Sequence, residues 1–254
     1  MNLRPLAQAP ETKRPVMGVQ ASGVNPGEEI SGSIEEMAAA DVAIIRSIQP
    51  QGPYSLWGYS FGARVAYEVA AQLEEAGETV QELVFLAPGS PELESGQPVR
   101  GDSNTLFRDR SFLTILYSVF AHSIDPPLVE ACVRTAKDEA SFIEHVATSY
   151  PALDRGLIER IVRLVTATYG PTYGPEPRER PLKTPATILR AQGDSRSFVE
   201  AASVSLSSTV RILDLEPDHY TVLKPAGLPH VIAALTTIAA AGSEPGEVPV
   251  RISA

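Results

Sequence analysis

The stretch GPYSLWGYSFGARVAYEVA (52–70) joins two different periodicities. YSLWGY (54–59) is a short apolar, aromatic-rich run of the kind that forms a buried strand, and residues 61–76 repeat apolar positions at helical spacing, with Gly77 placed to close the helix. Between them stands Gly58-Tyr59-Ser60-Phe61-Gly62, a G-x-S-x-G box in a strand–turn–helix setting. A serine in that setting occupies a sharp, strained turn, and glycine at 58 and 62 leaves the clearance that a side chain would fill. The turn lifts the Ser60 hydroxyl above the sheet edge and aims the helix N-terminus at the reacting centre. The Phe61 N–H then serves as one donor to an oxyanion. A Gly-Ser turn without chemistry fits the five residues alone; the strand, the helix and a histidine downstream favour a nucleophile.

Outward from this box the same alternation continues. PVMGVQ (15–20) reads as a strand, 31–50 as a helix opened by a Ser33/Glu36 capping box, and VQELVFLAP (80–88) as a strand. The β-α-β-α-β order implies an α/β fold with a parallel sheet. Residues 92–180 carry helical patterns such as SFLTILYSVFAH and LIERIVRLVTATY and no strand. Strands return at 186–192 and 209–216, followed by a helix over 228–241. The expected organisation is a first core segment (1–91), a helical lid insertion (92–180), a second core segment (181–242) and a loose tail (243–254). Phe112, Leu113, Leu116 and Phe120 of the insertion suit an acyl pocket and plain core equally well.

Composition narrows the function. The 254 residues are 43% hydrophobic, enough for a sizeable core, and carry a formal net charge of −10. That acidity argues against a nucleic-acid surface, which needs basic groups for phosphate, and against an anionic membrane. No apolar run approaches the ~20 residues of a spanning helix. MNLRPLAQAPETKRP at the start lacks the apolar centre of a signal peptide. Cys132 is the only cysteine, so no internal disulfide forms and a cytoplasmic setting fits. His122, His145, His219 and His230 show no metal-ligand spacing with one another or with Cys132, and no metal is expected. His122 and His145 read as ordinary helix or surface residues.

A neutral serine needs a base, and in this fold type the chain order is Ser, then Asp, then His. His219 sits in the loop EPDHYTVL after the strand 209–216, where a base belongs, while His230 lies inside the last helix. The acid must accept the other imidazole N–H. The strand ending LVFLAPGSP offers only Ala87 and Pro88, whereas ILRAQGD ends on Asp194. Asp218 adjoins His219 and would have to fold back on it, and Asp214 lies within a strand. Asp194 is favoured, although G-D-S also suits a plain turn.

GPYSLWGYSFGARVAYEVAAQLEEAGE (52–78), PDHYTVL (217–223) and RPVMGVQASGVNPGEE (14–29) together resemble the thioesterase domains that end nonribosomal peptide and polyketide synthases. The likeness covers most of 3–90 and 183–240. It implies an α/β-hydrolase fold with helices on both faces of the sheet and a helical lid. It implies Ser60 as nucleophile and His219 as base. The implied partners are an acyl or peptidyl carrier protein and the small-molecule acyl chain on its phosphopantetheine arm, released by water or by an internal nucleophile, with no cofactor bound by the chain itself.

Two departures stand out. Many synthase-terminal members carry the acid at the position of Ala87; related free-standing editing thioesterases carry it where Asp194 stands. Members also open with a strand and an H-P-x-G-G-like loop before the segment matching Arg4-Pro5-Leu6, so an N-terminal strand and a second oxyanion donor are expected to be missing. Loss of one such donor costs roughly 2.7–4 kcal/mol of transition-state stabilisation, and a missing inner strand leaves backbone unpaired. Three other readings remain: a general serine esterase, a catalytically impaired truncated thioesterase remnant, and a domain that grips a carrier protein without releasing anything.

Overall fold

The computed structural model describes residues 4–9, 15–89, 103–121, 124–169, 173, 181–195, 197, 199–200, 206, 210–241 and 250–253. In chain order the elements begin α1 (Arg4–Ala7), β1 (Val16–Val19), α2 (Ile34–Ile48), β2 (Tyr54–Tyr59), α3 (Phe61–Glu75) and β3 (Val80–Leu86). Helices α4 (Ser103–Leu106), α5 (Arg110–Phe120), α6 (Pro126–Thr135), α7 (Glu139–Ser149) and α8 (Arg155–Thr168) follow. The chain then runs through β4 (Ala186–Gln192), β5 (Val210–Asp218), α9 (Leu228–Ala241) and β6 (Val250–Ser253). It divides into two compact units: Ser22–Gly32 with Leu93–Tyr173, and Asn2–Ala21 with Ser33–Glu92 and Gly174–Ala254.

The second unit is the α/β layer read from the sequence. Its sheet has the order β1-β6-β2-β3-β4-β5, and every neighbouring pair is parallel. Every residue of β2 is buried, as befits an inner strand of a parallel sheet covered on both faces. Successive side chains of β2 alternate between the faces. Trp57 and Tyr59 join Val84, Leu86, Leu189 and Leu6 in one apolar cluster with Val231 and Leu235 of α9. Gly58 points the other way, onto α3, where a Cβ would come within 2.6 Å of Ala63 Cα. Buried alanines at 63, 66, 70 and 71 keep α3 slim enough to lie that close.

Local signals delimit the helices as expected. Ser33 Oγ accepts a hydrogen bond from the Glu36 N–H at 3.3 Å, one half of the capping box, and opens α2. Gly77 closes α3 at φ +81°, with the Glu78 N–H returning to the Leu73 carbonyl at 2.9 Å.

The C-terminal tail departs from expectation. Residues 250–253 are not loose: β6 lies between β1 and β2 and is parallel to both, pairing Gly18 with Ile252 and Gly58 with Ser253. The facing edges of β1 and β2 are therefore paired through β6. The sequence reading missed it because VRIS is short and follows a polar, Pro- and Gly-containing run, so nothing local marks it as an inner strand.

The other unit is helical among its described residues. Asp109, Asp138 and Asp154 cap α5, α7 and α8 through their side chains, satisfying backbone donors of the first turns. Phe112, Leu113, Leu116 and Phe120 pack with Phe107, Phe142, Ile158 and Val162 in the core of this unit. Of the two roles they suited, they therefore take the core one. Burial pushes the Cys132 thiol up to about 12, which keeps it protonated and inert. Arg160 Nε donates to the Val24 carbonyl at 2.7 Å, tying the 22–32 segment to α8. His145 makes a 2.9 Å hydrogen bond with Thr135, and His122 lies outside the described residues.

Candidate active site

Ser60 sits between β2 and α3 at φ 51° and ψ −118°, a backbone conformation non-glycine residues rarely adopt. Strain of that kind costs on the order of 1–3 kcal/mol and persists only where the surroundings enforce it. They do so here through hydrogen bonds on both sides of the bend: the Ser60 N–H donates to the Leu86 carbonyl at 2.9 Å, and the Ala63 N–H donates to the Ser60 carbonyl at 3.1 Å. A Cβ on Gly58 would stand 2.3 Å from the Gly62 carbonyl oxygen and 2.7 Å from Ala63 N. Both obstacles are backbone, so the glycine at 58 is a steric requirement of the bend. Phe61 is the first residue of α3, immediately after Ser60.

The structure brings together the three residues the sequence selected. Ser60 Oγ is 2.9 Å from His219 Nε2. His219 Nδ1 is 3.0 Å and 3.1 Å from the two carboxylate oxygens of Asp194. The imidazole is 7% exposed and the Asp194 side chain is fully buried. A buried carboxylate on Nδ1 fixes the ring as the tautomer protonated there, which leaves the Nε2 lone pair for the serine proton.

Each alternative is occupied elsewhere. Asp218 accepts from the Tyr220 N–H at 2.9 Å, the Thr221 N–H at 2.8 Å and the Thr221 hydroxyl at 2.9 Å, shaping the turn that carries His219. Asp214 accepts from Arg190 Nε at 2.7 Å. His230 is exposed on α9, 3.8 Å from Glu216. Ala87, at the tip of β3, is buried and has φ +45°.

Four features escaped the sequence reading. Tyr59 donates its hydroxyl to the His219 carbonyl at 2.7 Å, and the two rings lie 5.7 Å apart. A Cβ on Gly89 would meet the Ser195 carbonyl at 2.3 Å and Asp194 Cβ at 3.1 Å. One on Gly227 would meet the Thr221 carbonyl at 2.3 Å. The fourth is the turn held by Asp218. The glycines of APG and AGL read locally as generic turn signals; only packing reveals that they clear the acid and base loops. Among the described residues no three His, Cys, Asp or Glu side chains gather to hold a metal ion, and no helix is long and apolar enough to cross a membrane.

Known proteins resemble this chain in sequence and in fold. The family profile of the thioesterase domain matches residues 3–114. The chain is 46% identical over 236 residues to an indigoidine synthase of Dickeya dadantii (strain 3937), covering 92% of this chain and 16% of that protein. It is 43% identical over 225 residues to an indigoidine synthase of Streptomyces lavendulae, covering 88% and 18%. It thus spans under a fifth of the length of these relatives. Among solved structures, the four-domain nonribosomal peptide synthetase AB3403 superposes with a TM-score of 0.63 at 22% identity, over 89% of this chain and 17% of that one. The thioesterase domain that cyclises the lipopeptide surfactin superposes with a TM-score of 0.55 at 16% identity, over 92% and 95%. The fold is the α/β-hydrolase fold that the resemblance implied.

Proposed function

We propose that this chain, whose residues 3–114 belong to the thioesterase-domain family, releases an acyl or peptidyl chain from the phosphopantetheine arm of a carrier protein through a serine acyl-enzyme. The observation that carries the reading is the continuous chain of hydrogen bonds from Ser60 Oγ through His219 to buried Asp194. His219 Nε2 takes the hydroxyl proton as Oγ attacks the thioester carbonyl, and the Asp194 carboxylate stabilises the imidazolium that forms. The Phe61 N–H supports the negative oxygen of the tetrahedral intermediate. Collapse expels the phosphopantetheine thiolate, which recovers the proton from His219 and leaves an ester on Ser60. Water, or an amine or hydroxyl of the bound chain, then gives its proton to His219 and attacks that ester; the acyl–Oγ bond breaks, Ser60 takes the proton back from His219, and release is hydrolytic or cyclising.

The likeness to indigoidine synthases and other synthase proteins supports a peptidyl or aminoacyl substrate on a carrier protein. The mechanism requires no cofactor or metal of the chain's own. The single cysteine and net acidity fit a cytoplasmic enzyme that binds neither nucleic acid nor membrane.

A fluorophosphonate probe tests the nucleophile. Wild type is expected to label, and Ser60→Ala to lose the label. Absence of labelling in wild type refutes an activated Ser60. Single-turnover release from a loaded carrier protein, compared with hydrolysis of a nitrophenyl ester, tests the substrate class; faster oxyester turnover without carrier preference makes the chain a general esterase.

A further inference from the structure

The nucleophile and the base are held together by one dipeptide. Ser60 Oγ meets His219 at Nε2, at 2.9 Å. Its immediate neighbour, Tyr59, reaches the backbone of the same residue, donating its hydroxyl to the His219 carbonyl at 2.7 Å. Asp194 engages the remaining polar atom of the ring, Nδ1. From these three anchors the geometry points to Tyr59 as a positioning residue, a clamp that fixes the base loop against the strand carrying the nucleophile. The inference rests on the acyl-transfer reading above and adds to it a residue that acts through the backbone of His219.

Three observations separate a clamp from ordinary core packing. Tyr59 lies in an apolar cluster with Val84, Leu86, Leu189 and Val231, where a phenylalanine ring fills nearly the same volume. The hydroxyl thus adds nothing to packing; what it adds is the bond to His219. Burial raises the phenol far above its ordinary pKa, so it is a protonated donor at neutral pH. The His219 carbonyl is also the link between strand β5 and the turn beyond it. Tyr220 and Thr221 are held from the other side by the Asp218 carboxylate. At the junction of β5 and that turn, the Tyr59 hydroxyl reaches across the sheet from β2 and holds the backbone of His219. It makes the Ser60–His219 separation a property of one strand rather than of a loop. Misplacing a catalytic group by about 1 Å costs up to about 100-fold in rate.

The test is Tyr59→Phe in the full chain. The variant is expected to remain folded at the assay temperature, to label with fluorophosphonate roughly 10–100-fold more slowly per folded molecule, and to lose kcat by the same factor with KM within twofold of wild type. A purely structural hydroxyl lowers the melting temperature and leaves the rate per folded molecule unchanged; that result overturns the clamp. Proton NMR judges it without relying on reactivity. In the unmodified protein the Tyr59 hydroxyl proton is expected to exchange slowly with water. The low-field proton between His219 Nδ1 and Asp194 is expected to broaden or vanish in Tyr59→Phe. Fast exchange of the wild-type hydroxyl refutes the clamp even if the variant fails to fold. Failure of wild type to label refutes acyl transfer instead, and leaves the clamp to be decided by the two proton signals.

Discussion

Replacing Asp194 with asparagine separates orientation of the base from every other property of the site. The side chain is fully buried, and both of its oxygens lie 3.0–3.1 Å from His219 Nδ1. Asparagine is nearly the same shape, so packing is preserved. Its amide nitrogen is a donor, however, and where it faces Nδ1 it favours the imidazole protonated at Nε2. That tautomer presents an N–H to Ser60 and has no lone pair for the serine proton. The charge that stabilises the imidazolium is lost as well. In serine hydrolases with this constellation the equivalent exchange lowers kcat about 10⁴-fold, which is about 5.4 kcal/mol at 1.36 kcal/mol per decade. The control is Asp218→Asn, whose remaining carbonyl oxygen still accepts from the Tyr220 and Thr221 amides; its effect is expected to stay within about tenfold, on the order of 1.4 kcal/mol. Steady-state release from a loaded carrier protein, with circular dichroism to confirm folding, reads both variants. Retention of activity within tenfold by Asp194→Asn, or an equal loss in Asp218→Asn, refutes the assignment of the acid.

Other substitutions probe the frame around the site. Gly58→Ala drives a Cβ into the Gly62 carbonyl and the Ala63 backbone, and is expected to cost about 1–3 kcal/mol in thermal unfolding together with most of the labelling of Ser60. Gly89→Ala pushes on the Ser195 carbonyl beside Asp194; circular dichroism is expected to stay native while turnover falls up to about 100-fold. Ile252→Pro removes an N–H from a strand enclosed between β1 and β2, at a cost of about 1–3 kcal/mol for a buried partner left unpaired. An unchanged melting temperature there would contradict the inner position of β6. Glu78 is held below the ordinary glutamate range by the Gly52 N–H and by Arg46. A depressed carboxylate stabilises the fold at pH above its unfolded pKa, and that share fades as pH falls through the folded value. Glu78→Gln is therefore expected to flatten the acid limb of a plot of melting temperature against pH.

The amino-acid sequence by itself determined most of the elements and the bend that carries Ser60. Strand β2, the Ser60 bend and helix α3 are set within a few residues by glycine placement and a change of apolar period, and the caps at Ser33 and Gly77 act over a single turn. His219 was legible too, because a histidine in the loop after a late strand has few other reasons to be there. Choices between distant residues were left to the tertiary structure. Asp194 and Asp218 lie at strand ends and Asp214 within β5, and only the closing of β4 against β5 turns one toward the imidazole while Arg190 and the Thr221 turn occupy the others. The place of β6 and the reach of Tyr59 across the sheet belong to the same class. Strand order in a parallel sheet is settled by which backbone edges remain unpaired when the layers close, and a bond spanning 160 residues has no counterpart in local periodicity.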